Sequence, residues 1–177
     1  MPVYIILFRG VGGATQLPVK PLREKLTEAG FGNVATYINS GNAVVKSRLG
    51  RERVISTIAA ICAKEFHFHK EVYAPAAAEW RALIDNNPFP EAVATPTSLH
   101  AAVLAGKPKL EAVEAIRSFA VGDERIEIVG EVAYLHTPHG FGPSKMATMF
   151  DKKIGVPNTA RNWNTVTKLM AMAEAAA

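Results

Sequence analysis

The chain has 177 residues, of which 49% are hydrophobic and 20% charged, with 13 Gly, 11 Pro and a single Cys. These proportions exclude a disordered chain, a collagen-like repeat and a scaffold held by internal disulfides. No apolar run approaches the roughly 20 residues of a membrane helix, because the run from Val3 is interrupted at Arg9. The same arginine, with no basic leader before it, argues against a secretory signal. The composition therefore predicts a soluble, cytoplasmic protein with no membrane partner.

The charge balance allows an anionic partner without requiring one. Lys and Arg number 20 and Asp and Glu 16, which gives a net charge of +4 and a pI near 9.3. This excess is compatible with a polyanion but small for a dedicated nucleic-acid-binding protein. Basic residues concentrate in the first half of the chain and again between residues 140 and 170. Each stretch is either a solvated face or an anion-binding surface.

The first half of the chain has the pattern of a split βαββαβ unit. A continuous β-rich run predicts a buried strand, apolar residues at helical spacing predict two helices, and the turn residues N-S-G-N predict a hairpin. The predicted order is a strand over 3–8, a helix over 18–29, strands over 34–38 and 43–46, a helix over 54–66 and a strand over 70–73.

The second half repeats this order after a connecting helix over 75–84 and a proline-rich joint at 87–90. It is predicted to begin with a strand over 99–104 and a helix whose apolar stripe is Leu110, Val113, Ile116 and Ala120. A hairpin of strands over 125–129 and 132–136 around Gly130 follows, and then a helix over 144–154. The pattern barely supports a last strand, and a C-terminal helix begins at Asn162.

We therefore predict an α+β fold made of two tandem ferredoxin-like lobes with antiparallel sheets and a C-terminal helix. The predicted lobes span residues 1–75 and 76–177. Each is close to the lower limit of size for independent folding, so packing against each other is expected to stabilise both.

Four segments containing glycine or polar residues fall at the ends of predicted elements. In R-G-V-G-G, Arg9 suits a carboxylate or phosphate, and Gly12 and Gly13 allow close backbone approach; a tight loop is the simpler interpretation. The spacing lacks the full G-x-G-x-x-G pattern of nucleotide-binding loops. The turn N-S-G-N, which ends at Asn42, is most simply a hairpin.

The other two segments precede helices. Gly142, Ser144 and Lys145 stand at a helix entry, which is either structural or an anion site at the positive end of the helix dipole. Asn162 suits an N-cap, but capping leaves Arg161, Asn164 and Thr165 unexplained.

Metal and nucleophile sites are not predicted. The pairs His67-x-His69 and His136-x-x-His139 lack a third ligand at a recognisable spacing, so no metal site is assigned. Cys62 lies on an apolar helix stripe and is expected to be buried and inert. No cofactor is indicated.

Six motifs follow one another along the chain: R-G followed by G-G at 9–13, T-Y-I-N-S-G-N at 36–42, N-P-F at 87–89, Y-L-H at 134–136, G-x-S-K at 142–145 and T-A-R-N-W-N-T-V at 159–166. Together they resemble a bacterial family of unknown function, numbered sixteen-ninety-seven. The resemblance implies two ferredoxin-like lobes and no established activity. The family pattern R-G-I-N-V-G-G is shortened here to R-G-V-G-G, so a ligand contact from the missing Asn would be lost or altered.

Three functions follow as hypotheses. The first is a module that binds an anionic small molecule, nucleotide or RNA in a cleft between the lobes. The second is an enzyme acting on a phosphorylated or carboxylated small molecule, with His136 or His139 as general base. The third is a structural or interaction protein in which the motifs serve packing. The residues expected to bind the ligand are Arg9, Gly12, Gly13, Asn42, Gly142, Ser144, Lys145, Arg161, Asn162, Asn164 and Thr165.

Overall fold

The computed structural model describes residues 1–38 and 41–177, which form eight strands and six α-helices in these ranges. The strands are β1 Val3–Phe8, β2 Gly32–Tyr37, β3 Asn42–Lys46, β4 Val72–Tyr73, β5 Leu99–Leu104, β6 Arg125–Val129, β7 Val132–His136 and β8 Asn158–Asn162. The helices are α1 Val19–Glu28, α2 Arg51–Phe66, α3 Ala77–Asp85, α4 Leu110–Arg117, α5 Lys145–Lys153 and α6 Trp163–Ala176.

The strands form two four-stranded antiparallel sheets, so the α+β fold is confirmed. One sheet has the order β2-β3-β1-β4 and the other β6-β7-β5-β8. The chain groups into two compact units, Met1–Ala82 with Thr167–Ala177 (unit 1) and Leu83–Val166 (unit 2). The domain boundary between residues 75 and 76 stays a prediction.

Unit 1 is built around β1, all six of whose residues are buried. Helices α1 and α2 pack on one face of the sheet because their apolar residues recur at helical spacing, as in Val54, Ile58 and Cys62 of α2. Helix α2 ends where His67 adopts a left-handed conformation with φ 52°.

Unit 2 has a comparable core between its sheet and the helices α4 and α5. The β6–β7 hairpin turns at Gly130, whose φ of 60° is the conformation that a glycine-first two-residue turn requires. The last strand, which the sequence barely supported, is a five-residue strand paired along its whole length with β5.

Two differences from the sequence prediction stand out. Leu110, placed on the buried stripe of α4, is 70% exposed. The proline-rich joint is followed by two short 3-10 turns, Pro90–Ala94 and Pro96–Ser98. None of the helices in the described ranges is long and apolar enough to cross a membrane.

Candidate functional site

A group of polar residues lies at the end of β1 in unit 1, on the sheet face opposite α1 and α2. Leu7 pairs with Asn42 on one side and with Tyr73 on the other. Arg9 lies two residues further on, and its backbone N–H donates to the carbonyl of Glu71 at 3.1 Å. Because side chains alternate along a strand, Arg9, Asn42, Glu71 and Tyr73 project from the same face as Leu7. We call these four residues the Arg9 corner.

The hydroxyl of Tyr73 is the most unusual group at the Arg9 corner. Its oxygen is buried and has no hydrogen-bond partner among the described residues. Burial raises the pKa of this hydroxyl, the carboxylate of Glu71 raises it further, and the charge of Arg9 opposes the rise. The hydroxyl therefore stays protonated at neutral pH and offers a donor that the fold does not use.

Arg9 and Asn42 are tied into the structure as well. Asn42 is buried, and its Nδ2 donates to the carbonyl of Tyr37 at 3.4 Å. Arg9 is half-buried, and both residues have further interaction partners. A guanidinium carries five N–H donors, so internal bonds and a bound oxygen are compatible on one arginine.

The glycine loop after β1 is a tight turn held by its own hydrogen bonds. The amide of Gly12 donates to the carbonyl of Thr15 at 2.6 Å, and the carbonyl of Gly13 accepts from Gln16 Nε2 at 2.7 Å. Gly12 and Gly13 are exposed, with φ of 133° and 56°. The tight-loop interpretation accounts for Gly12, whose N–H is already bonded.

Gly41, the residue before β3, packs directly against this loop. Asn39 and Ser40 of the predicted turn lie outside the described residues. A Cβ added to Gly41, which has φ 75°, would lie 2.5 Å from Val11 Cγ2 and 2.9 Å from Phe8 Cβ. Only glycine fits this approach, which places Gly41 next to the loop after Arg9.

The start of α5 in unit 2 is a capped helix entry. Ser144 is buried, and its Oγ accepts from the amide of Ala147 at 3.1 Å, as an N-cap residue does. Lys145 is exposed with its Nζ 5.1 Å from the centre of the Phe119 ring, and Gly142 is exposed. The hydroxyl of Ser144 is therefore engaged, while the ammonium of Lys145 faces solvent and an aromatic ring.

The segment R-N-W-N-T at the junction of β8 and α6 also uses its polar groups internally. Arg161 Nη1 donates to Thr159 Oγ1 at 2.7 Å and to the carbonyl of Ala160 at 2.8 Å. Burial lowers the pKa of Arg161 to about 10, which still leaves it charged at neutral pH. Asn162 Oδ1 accepts from the amide of Thr165 at 3.0 Å and caps α6, as its position predicts.

The remaining residues of this segment are divided between the core and the surface. Trp163 and Thr165 are buried, whereas Asn164 is exposed but has an interaction partner.

Within unit 1 the structure brings Arg9 and Asn42 together, with Gly12 and Gly13 on the adjoining loop. Within unit 2 the predicted residues form two local groups, 142–145 and 161–165, and their assignment to a ligand stays a prediction.

The histidines considered as general bases each have a charged neighbour. His136 Nδ1 lies 3.3 Å from Arg125 Nη2. Burial and, to a smaller extent, the charge of Arg125 lower the pKa of His136, whereas the carboxylates of Glu91 and Asp123 oppose this shift. His139 Nε2 lies 3.3 Å from Asp123 Oδ1 on the surface. The described residues contain no group of three or more potential metal ligands.

Among the described residues, two that sequence analysis missed have buried polar atoms without a hydrogen-bond partner. Tyr73 was included only in a short predicted strand, although the strand order of a ferredoxin-like sheet would have placed it beside β1. His100 was not singled out; it stacks on Phe141 with ring centres 3.9 Å apart, and its buried Nδ1 has no partner among the described residues. Burial lowers the pKa of His100 to about 4, and no sequence signal indicated this.

Comparison with known proteins agrees with this fold. The conserved bacterial protein SP0830 from Streptococcus pneumoniae has a similar structure, with a TM-score of 0.71, 21% sequence identity, and coverage of 97% of this chain and 98% of that chain. At this identity the likeness shows the fold alone. No curated protein matches the chain.

The family comparison covers most of the sequence. The model of the family described as "Protein of unknown function (DUF1697)" matches residues 1–134, a range that includes the Arg9 corner and ends before R-N-W-N-T-V. Since this is well over half of the chain, the protein belongs to the DUF1697 family of unknown function.

Proposed function

We propose that the protein is a small anion-binding module whose ligand occupies the Arg9 corner of unit 1. The observation that carries the proposal is the buried Tyr73 hydroxyl, which has no partner among the described residues and lies within the electrostatic influence of Arg9. The cytoplasmic location predicted from the sequence forms part of the same proposal.

An unused buried donor has a cost that a ligand can remove. Leaving a buried hydroxyl without a hydrogen bond costs about 1–3 kcal/mol relative to a satisfied one. Because the hydroxyl oxygen is buried, a ligand reaches it only when a neighbouring group moves aside. An oxygen of a carboxylate or phosphate would then accept from this hydroxyl, and the guanidinium of Arg9 would stabilise its negative charge. Hydrogen bonds to charged groups are about twice as strong as neutral ones, so this pairing favours an anion over a neutral ligand.

The distribution of charge supports placing the site in unit 1. This unit contains twelve Lys and Arg and seven Asp and Glu, whereas unit 2 contains eight and nine. The positive charge of the whole chain therefore originates in unit 1, where it raises the local concentration of an anionic ligand.

We infer further that each unit is a ferredoxin-like lobe. The strand orders β2-β3-β1-β4 and β6-β7-β5-β8, each with two helices between the strands in the sequence βαββαβ, support this inference.

The proposal is tested by titrating the protein with inorganic phosphate, acetate, adenosine monophosphate and a short single-stranded RNA. Binding is followed by melting temperature and by amide chemical shifts around residues 9–13. At a hundredfold excess over Kd, a ligand should stabilise the fold by about 2.7 kcal/mol. Tyr73→Phe should strongly weaken this response, whereas Tyr134→Phe, which changes a tyrosine of unit 2, should retain it.

An unchanged melting temperature with every probe would contradict the proposal, as would an equal response from the wild type and Tyr73→Phe. A response to RNA alone that survives in Tyr73→Phe would mean that the basic surface of unit 1 binds nucleic acid without the Arg9 corner. This outcome would also overturn the assignment of the ligand to the Arg9 corner.

A second candidate function for R-N-W-N-T is structural, and specific hydrogen bonds favour it. Arg161 Nη1 and Asn162 Oδ1 are both engaged by neighbouring groups of β8 and α6. We therefore expect Arg161→Ala to lower stability while the response to acetate or phosphate is unchanged. Loss of the ligand response at full stability would instead assign Arg161 to a binding site.

A further inference from the structure

The Arg9 corner contains a carboxylate as well as a guanidinium. Glu71 lies opposite Arg9 one position beyond the last pair of the β1–β4 ladder, Phe8 with Val72, and the Arg9 amide donates to the Glu71 carbonyl at 3.1 Å. The Glu71 side chain is exposed, and Tyr73, two residues further along the chain, projects from the same face. The charges of both Arg9 and Glu71 act on the Tyr73 hydroxyl.

A neighbouring cation, Lys70, precedes Glu71 by one residue and therefore projects from the opposite face. Its methylene stem lies 3.8–3.9 Å from the position of a Cβ added to Gly10. The charged pair on the face of Tyr73 is therefore Arg9 with Glu71, one positive and one negative group about 5 Å apart at their Cβ atoms.

This arrangement is complementary to a zwitterion. We propose that the Arg9 corner binds a free α-amino acid, with the ligand carboxylate on Arg9 and the Tyr73 hydroxyl and the ligand ammonium on Glu71. The inference rests on the proposed function and specifies its ligand class. In an α-amino acid the ammonium and the carboxylate are attached to the same carbon. Their short separation matches that of a cation and a carboxylate that lie opposite each other on adjacent segments of the sheet.

Other anions fit the pair less well. A phosphate dianion or an RNA backbone meets repulsion from Glu71 and has no positive group to pair with its carboxylate. A peptide carries its ammonium and carboxylate on different residues, too far apart for a directly opposed cross-strand pair. The carboxylate of Glu71 thus acts as the element that discriminates between an amino acid and a simple anion.

The test compares glycine with its two fragments, acetate and methylammonium, and with inorganic phosphate. Isothermal titration is performed on the wild type, Glu71→Gln, Tyr73→Phe and Glu111→Gln; the last is a control in which an exposed glutamate of α4 undergoes the same charge change. Glycine should bind the wild type and Glu111→Gln at least about tenfold more tightly than acetate, as expected for one additional charge-assisted hydrogen bond.

Glu71→Gln should remove this preference by weakening glycine while acetate binds as well as before or better. Tyr73→Phe should weaken both ligands. The amino-acid inference would be overturned if acetate or phosphate bound the wild type as tightly as glycine and Glu71→Gln did not change the ratio of their dissociation constants. That result would leave the anion-binding proposal intact. Failure of all four compounds to bind the wild type would overturn both.

Discussion

The Arg9 corner and the R-N-W-N-T segment are both polar regions at strand ends of sheets with the same strand order, yet they use their polar groups differently. In the second region, Arg161 Nη1 donates to two neighbouring oxygens and Asn162 caps the helix that follows it. In the first, a buried tyrosine hydroxyl has no partner among the described residues. Residue type alone does not distinguish the two regions. They differ in whether their buried polar groups have hydrogen-bond partners within the described part of the protein.

The same contrast separates two tyrosines whose hydroxyl groups are buried. Tyr134 donates its hydroxyl to the carbonyl of Leu83 at 2.6 Å, and burial raises its pKa to about 12. Burial raises the pKa of the Tyr73 hydroxyl too, but no acceptor in the described part of the chain compensates the lost hydration. We interpret the first tyrosine as part of the fold and the second as part of a site that is completed by a ligand.

The largest expected effect concerns the structural role of R-N-W-N-T. Trp163 is buried, so Trp163→Ala should reduce the free energy of unfolding by about 3–5 kcal/mol through lost contacts and a cavity. Urea unfolding measures this change. A loss below 1 kcal/mol would show that the segment does not anchor α6 and would weaken the contrast with the Arg9 corner.

Acid should destabilise unit 2 through His100. Burial lowers the pKa of this histidine to about 4 in the folded state, against about 6.5 in the unfolded chain. The unfolded state therefore takes up the proton first, and stability is lost as the pH falls from 6.5 towards 4.

Between pH 7 and pH 5 this single group should cost about 2 kcal/mol of stability. Urea unfolding of the wild type and His100→Gln at both pH values measures the difference, because the variant lacks the titrating group. An equal loss in the two proteins would mean that His100 is accessible to protons in the folded state.

A smaller effect is expected from the helix cap. Asn162→Ala should cost about 1 kcal/mol because the amide of Thr165 loses its acceptor, whereas Asn162→Asp, which retains a side-chain oxygen, should be tolerated. Thermal unfolding of the two variants provides the comparison. If both leave stability unchanged but alter the response to acetate, the residue belongs to a binding site instead.

Much of the fold was predictable because local patterns specify it. The bounds of β1, β5, β6 and β7 follow from β-rich runs and from a glycine-first turn. Strand β8 was barely predictable because its sequence N-T-A-R-N has little β propensity, and only pairing with β5 makes it a strand. The exposure of Leu110 shows that periodicity identifies a helix face but not how far the core covers it.

The candidate site was predictable only in part. Arg9 and Asn42 stand out in the sequence because they flank glycine-containing turns. Tyr73 does not, since its importance depends on a strand pairing across more than sixty positions of the chain. The roles of Ser144 and Asn162 were ambiguous because a capping oxygen and a ligand-binding oxygen are the same atom in a sequence.

The most direct measurement is the free energy of unfolding of Tyr73→Phe beside that of Tyr134→Phe, without ligand and with saturating acetate. Without ligand, removing the unsatisfied hydroxyl should leave stability unchanged or raise it by up to about 1 kcal/mol, whereas losing the bond to Leu83 should cost about 1–3 kcal/mol. Acetate should stabilise Tyr134→Phe and not Tyr73→Phe. Equal destabilisation of both variants, with acetate stabilising both or neither, would contradict the assignment of Tyr73 to a ligand site.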